Sequence, residues 1–89
     1  LTKETVIDKI EVLEMGQVQV RTATRVKEDG AVLSSSFHRH VVEPSTKASG
    51  SWADTDISGE DARVQAVATA TWTSAVKTAY QEMIDAQAL

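Results

Sequence analysis

His38-Arg39-His40 is the first place in this chain where residue types and spacing suggest chemistry. On an extended strand, residues two apart share a face, so both imidazoles would project to the same side and offer two nitrogen donors to a metal. A zinc site needs a third or fourth ligand, and none lies nearby in the sequence. The strand neighbours expected across from them, Gln19 and Arg21, add a cation that opposes a bound metal. The same pair would also serve a pH-responsive contact or an ordinary polar sheet surface, so His38 and His40 stand as candidate interface residues and not as ligands.

The other constellations carry less. Ser34-Ser35-Ser36 lies close to the histidines, but an extended strand offers no strained elbow and no helix N-terminus to hold an oxyanion. Asp54, Asp56, Glu60 and Asp61 lack the alternating ligands and terminal bidentate glutamate of a calcium loop, so capping and solvation account for them. Arg21, Arg25 and Lys27 form a basic stripe that becomes an interface only if an acidic partner lies over it. No cofactor or metal is called for, and an enzyme would need a pocket that 89 residues with four aromatics can hardly build.

The elements that position these residues follow from periodicity. The first half alternates with period two and the second with a helical period, which predicts an α+β fold. Strands are expected over about 5–13, 17–28 and 31–43 as an antiparallel meander, then a loop over 44–58 and a helical segment over 59–89, all one domain. Asp29-Gly30 supplies the positive φ that a type I′ turn requires, and a regular ladder from it sets Val26, Thr22 and Val18 opposite Leu33, Phe37 and Val41. A three-residue first turn, Glu14-Met15-Gly16, with glycine in a G1 bulge, lets Val6, Ile10, Val12, Val18, Val20 and Val26 share one face.

In that register Leu33, Phe37 and Val41 complete the apolar face, while Gln17, Gln19, Arg21, Arg25, Lys27, Ser34, Ser36, His38 and His40 form the polar one. Arg39 is the misfit. It points toward the core beside Val20, at the sheet rim or paired with Asp8 or Glu11.

Pro44 ends the third strand, and Ser45 to Gly59 reads as a loop of about fifteen residues, long for a small domain. Trp52 within it either folds back onto the core or meets a neighbouring subunit. Ser58-Gly59-Glu60-Asp61 has the form of a capping box with Ser58 at the N-cap. From there Val64, Val67, Ala68, Thr71, Trp72, Ala75, Val76, Ala79, Tyr80, Met83 and Ile84 recur at helical steps, giving an apolar stripe over about 59–86. Either one long helix or a pair broken near Thr73, with its hydroxyl as the second cap, satisfies the pattern.

Composition bounds what such a domain does. Chains of this size bury only about 60 to 65% of the surface their unfolded form exposes, and without cysteine there is no disulfide or thiolate zinc to staple the fold. Oligomerisation is the remaining staple. Nine basic against thirteen acidic residues, a net charge of -4, argue against nucleic acid as partner. No apolar run reaches the roughly 18 residues of a membrane span. Leucine at position 1 points to an initiating methionine or short leader preceding it.

The run Ile10 to Thr24, the stretch Phe37-His38-Arg39-His40-Val41 and the segment Gly59 to Ala66 resemble short proteins of tailed bacteriophages, marine phages among them, over nearly the whole chain. The resemblance carries no catalytic or binding residues. It implies a phage protein from the structural or tail region, located in the virion or the host cytoplasm. With the physical reading it predicts a non-enzymatic, protein-binding component: a tail, fibre-attachment or capsid-decorating subunit, homo-oligomeric or part of a larger particle. Trp52, Arg21, Arg25, His38 and His40 are its candidate contacts, with no small-molecule substrate. An assembly chaperone absent from the mature particle is the first alternative, and a host-directed inhibitor whose acidic surface imitates nucleic acid is the second.

Overall fold

Asp29 and Gly30 both take positive φ, 51° and 81°, in the computed structural model of the chain, which describes residues 1–87. That type I′ turn joins β2 (Val18–Glu28) to β3 (Ala31–Val42), and β1 (Thr2–Val12) pairs with the other edge of β2, giving an antiparallel sheet of order β1-β2-β3. The first turn spans Glu14, Met15 and Gly16, closed by Leu13 N–H donating to the Gln17 carbonyl at 2.8 Å, with Gly16 at φ 89°. Space constrains Gly16 on a second count. A Cβ there would lie 2.5 Å from Val76 Cγ1 and 3.1 Å from Pro44 Cγ.

Two bulges set the faces. In β1 the pairing slips between Ile7 and Lys9, leaving Asp8 as the extra residue. In β3 it slips between Val32 and Ser34, so that Lys27 opposes Val32, Val26 opposes Ser34 and Leu33 is left over. Beyond each bulge the alternation inverts. Val18 therefore faces Val42 rather than Val41, Thr22 faces His38 rather than Phe37, and Val26 faces Ser34 rather than Leu33. The expected apolar face, with Leu33, Phe37 and Val41 in the core, is corrected accordingly: those three are 57%, 51% and 50% exposed. Val6 likewise gives way to Ile7 on the face that packs against the helices.

The bulges have a physical reason. An unbroken ladder would place Asp8 and Arg39 on the helix-covered face, among Ile10, Val18 and Val20, and an unpaired charge in an apolar core is costly. One inserted residue in each strand turns both outward. Arg39 comes to lie opposite Arg21, and Asp8 pairs with Arg21 in place of the Arg39 pairing expected from sequence.

Two helices cover one end of the sheet. α1 (Ala62–Thr71) begins at Asp61, whose carboxylate accepts from Arg63 N–H at 2.9 Å; this moves the N-cap from the expected Ser58. α2 (Ser74–Gln87) begins where the Thr73 hydroxyl accepts from Val76 N–H at 3.3 Å, so the stripe is a helix pair broken at Thr73. The final positions of the expected 59–89 segment, 88 and 89, lie outside the described residues.

Val18, Val20, Val42, Val64, Ala68 and Trp72 make the core, with Ile7, Ile10, Ile57, Val67 and Val76 around it. Trp72 Nε1 donates to the Gly16 carbonyl at 2.7 Å, tying the helix junction to the first turn. The expected loop after Pro44 contains a small hairpin, β4 (Ser45–Ala48) and β5 (Ser51–Asp54), turned at Ser49-Gly50 with φ 52° and 80°.

Candidate interaction surface

The five residues singled out from sequence do not form one site. Arg21 and Arg25 lie on the sheet face away from the helices, while His38 and His40 lie on the helix-covered side, opposite Thr22 and Val20 rather than Arg21 and Gln19. Trp52 sits on the separate hairpin.

The basic stripe is already neutralised from within. Arg21 donates twice to Asp8, Nε to Oδ1 at 2.9 Å and Nη2 to Oδ2 at 2.7 Å, while Arg25 and Lys27 each donate to Glu4, at 2.9 and 2.8 Å. Asp8 is held below the usual carboxylate range chiefly by its hydrogen bonds from Arg21, and Glu4 by those from Lys27 and then Arg25. An acidic partner would have to displace carboxylates already in place. Arg21 also lies 4.5 Å over the Phe37 ring, a cation–π contact that holds the ring against the sheet.

His40 is half-buried, its Nε2 2.8 Å from Glu60 Oε1, which ties β3 to the segment before α1. His38 is exposed and stacks on His40 with ring centroids 6.4 Å apart. Among the described residues no three His, Cys, Asp or Glu side chains come together as a metal would require.

Trp52 is half-buried and packs on its own chain, against α2 rather than on the central core. It meets Tyr80 edge to face at 6.1 Å, donates Nε1–H to Asp85 Oδ2 at 3.2 Å and lies under the Lys47 ammonium. Lys47 and Trp52 together keep Asp85 ionised below its ordinary pKa, Lys47 contributing most. Tyr80 beneath them is buried, which with a hydrogen bond to Glu43 pushes its phenol up to about 12.

The longest exposed run among the described residues is β3, whose apolar residues the sequence reading had assigned to the core. From Ala31 to Arg39 every residue is exposed, and the outer edge of the strand has no partner in the sheet. Phe37, Val41, Val32 and Leu33 are each about half exposed along it. Arg39 makes no ion pair among the described residues. Two signals were present in the sequence: Arg39 at a core position, a conflict that one inserted residue resolves, and three consecutive serines that alternation cannot assign to a buried face.

The opposite edge is defended. β1 carries Lys3, Glu4, Asp8, Lys9 and Glu11, and the Arg63 guanidinium donates to the Ile7 carbonyl at 2.9 Å.

Two shallow depressions of about 210 and 200 Å³ flank the helices, the first lined by Asp54, Thr55, Ile57, Thr69, Trp72 and Lys77. No helix among the described residues is long and apolar enough to cross a membrane. No family model, curated protein or solved structure matches the chain.

Proposed function

We propose that this protein is a non-enzymatic interaction module, a minor component of a phage particle that works through protein–protein contact along β3. The supporting observation is the half-exposed row Leu33, Phe37 and Val41 on a twelve-residue edge strand whose outer side has no partner in the sheet. Free backbone donors and acceptors beside apolar side chains are what strand addition uses, the main chain supplying affinity and the alternate side chains specificity. The phage assignment rests on the resemblance of Ile10 to Thr24, Phe37 to Val41 and Gly59 to Ala66 to short tailed-phage proteins.

Mass spectrometry of purified particles from the encoding phage, combined with hydroxyl-radical footprinting, tests the reading. The chain is expected in mature particles, with Phe37 and Val41 protected there and labelled in the isolated protein. Presence in assembly intermediates and absence from mature particles would assign it to a chaperone instead. Host protein recovered with a tagged chain, with none in particles, would assign it to host inhibition.

A further inference from the structure

The geometry points to a second copy of this chain as the strand that β3 accepts, antiparallel and centred on Phe37. This rests on the reading of β3 as the contact edge and adds the identity and register of its partner. The sequence of that edge, Leu33-Ser34-Ser35-Ser36-Phe37-His38-Arg39-His40-Val41, is complementary to its own reverse. Three small hydroxyl residues precede Phe37, three large nitrogen-bearing residues follow it, and an apolar residue closes each end.

A two-fold axis through Phe37, normal to the sheet, sets the two phenylalanines side by side. It places Arg39 opposite Ser35 of the second copy, His38 opposite Ser36, His40 opposite Ser34 and Val41 beside Leu33. Arg39 and His38 then each meet a hydroxyl, His40 keeps its contact with Glu60, and no like charges are opposed.

The registers centred on Ser36, His38 and Arg39 fail on charge or polarity. An axis on Arg39 opposes the two guanidiniums and sets each His38 against His40. One on Ser36 sets Arg39 against Leu33 and His40 against Val32. One on His38 opposes the two imidazoles and leaves Val41 against Ser35.

The surroundings agree with this placement. Arg39 has no ion-pair partner of its own among the described residues, and Ser34, Ser35 and Ser36 are exposed. Pairing stops naturally at the far end, because Val42 turns into the core at 6% exposure and Pro44 offers no N–H to a ladder. The guarded β1 edge leaves β3 as the open side, and the isologous contact closes on itself rather than propagating.

Sedimentation equilibrium on the full chain, with charge variants at Ser35, tests the proposal. The wild-type chain is expected to dimerise. Ser35→Glu places a carboxylate opposite Arg39 at two symmetric positions and should tighten the dimer about fivefold, while Ser35→Arg opposes guanidiniums and should weaken it about tenfold. Position 35 is exposed, so thermal melting of both variants under dilute, monomeric conditions should match wild type and separate association from folding. A wild-type chain and Ser35→Glu variant that both stay monomeric at millimolar concentration would overturn the proposal, as would both charges shifting affinity in the same direction. If Ser35→Arg is monomeric yet enters particles normally, another protein occupies the edge in the particle; the self-pairing inference falls and the interaction reading stands. The expected charge pattern in a chain absent from particles would do the reverse.

Discussion

Gly16 shows how much a single residue carries in this fold. It holds a left-handed conformation in the first turn, accepts the Trp72 indole N–H through its carbonyl and leaves no room for a side chain against Val76 and Pro44. Gly16→Ala should cost about 3 kcal/mol by chemical denaturation, from backbone strain and overpacking together; a loss below about 1 kcal/mol would show that the turn can relax away from the helices. Tyr80 gives a second reading at this scale, as the only tyrosine in the chain. Burial raises its folded pKa to about 12, above the ordinary value of 10.0, so the folded state keeps the proton longer than the unfolded state does. Its contribution to stability is therefore complete below about pH 10 and is lost as pH rises from about 10 to about 12. Absorbance near 295 nm should titrate close to pH 12 while the chain is folded and near 10 in denaturant. Coincident titrations would mean that the phenol is not shielded.

Among the elements, the bulged strands decide what the protein presents to its surroundings. Asp8 leaves the helix-covered face through one bulge and is held ionised by Arg21, its folded pKa lowered below the unfolded value. The stability this adds is present above the unfolded pKa, near 4, and disappears as pH falls through the lower folded pKa. The melting temperature should therefore drop between about pH 5 and pH 3, and Asp8→Asn should flatten part of that drop; an unchanged acid limb would remove the ion pair from any role in stability. Glu4, Asp56 and Asp85 shift in the same direction and share the remainder.

The three-stranded meander followed by helix was legible in advance because turn chemistry and periodicity are local: Asp29-Gly30 and the Glu14-Met15-Gly16 loop stand where residue types place them, while the break at Thr73 was one of two patterns the stripe allowed. The faces of β1 and β3 were not. A bulge leaves no mark on alternation before it occurs, and one extra residue moved Phe37 and Val41 from the expected core to the surface. Arg39 in a core position was the local trace of it. The β4–β5 hairpin was hidden for a different reason, since four-residue strands are too short to establish a period. The candidate contacts chosen from sequence, Arg21, Arg25, His38, His40 and Trp52, fell on three separate parts of the surface, because charge and ring chemistry name residue types and not the partners that occupy them.

The whole molecule is elongated, 54 by 25 by 23 Å, with a Cα radius of gyration of 16.6 Å. A compact chain of this length has about 12 Å. The difference is the sheet, which runs past the helices, so that β3 is exposed from Ala31 to Arg39 while the core gathers around Val18, Val20, Val64 and Trp72. Such a shape spends sequence on surface, and the proposed dimer would bury part of it by joining two three-stranded sheets into one of six strands. The chain has no cysteine, so one introduced residue reports on one position. At the proposed axis, the Phe37 Cα atoms of two copies lie within the roughly 4.4–6.8 Å that a disulfide spans, whereas Arg39 Cα atoms are separated by about four strand residues, or roughly 13 Å. Under mild oxidation, Phe37→Cys is expected to give a covalent dimer and Arg39→Cys a monomer; equal yields, or the reverse order, would contradict pairing of β3 about Phe37.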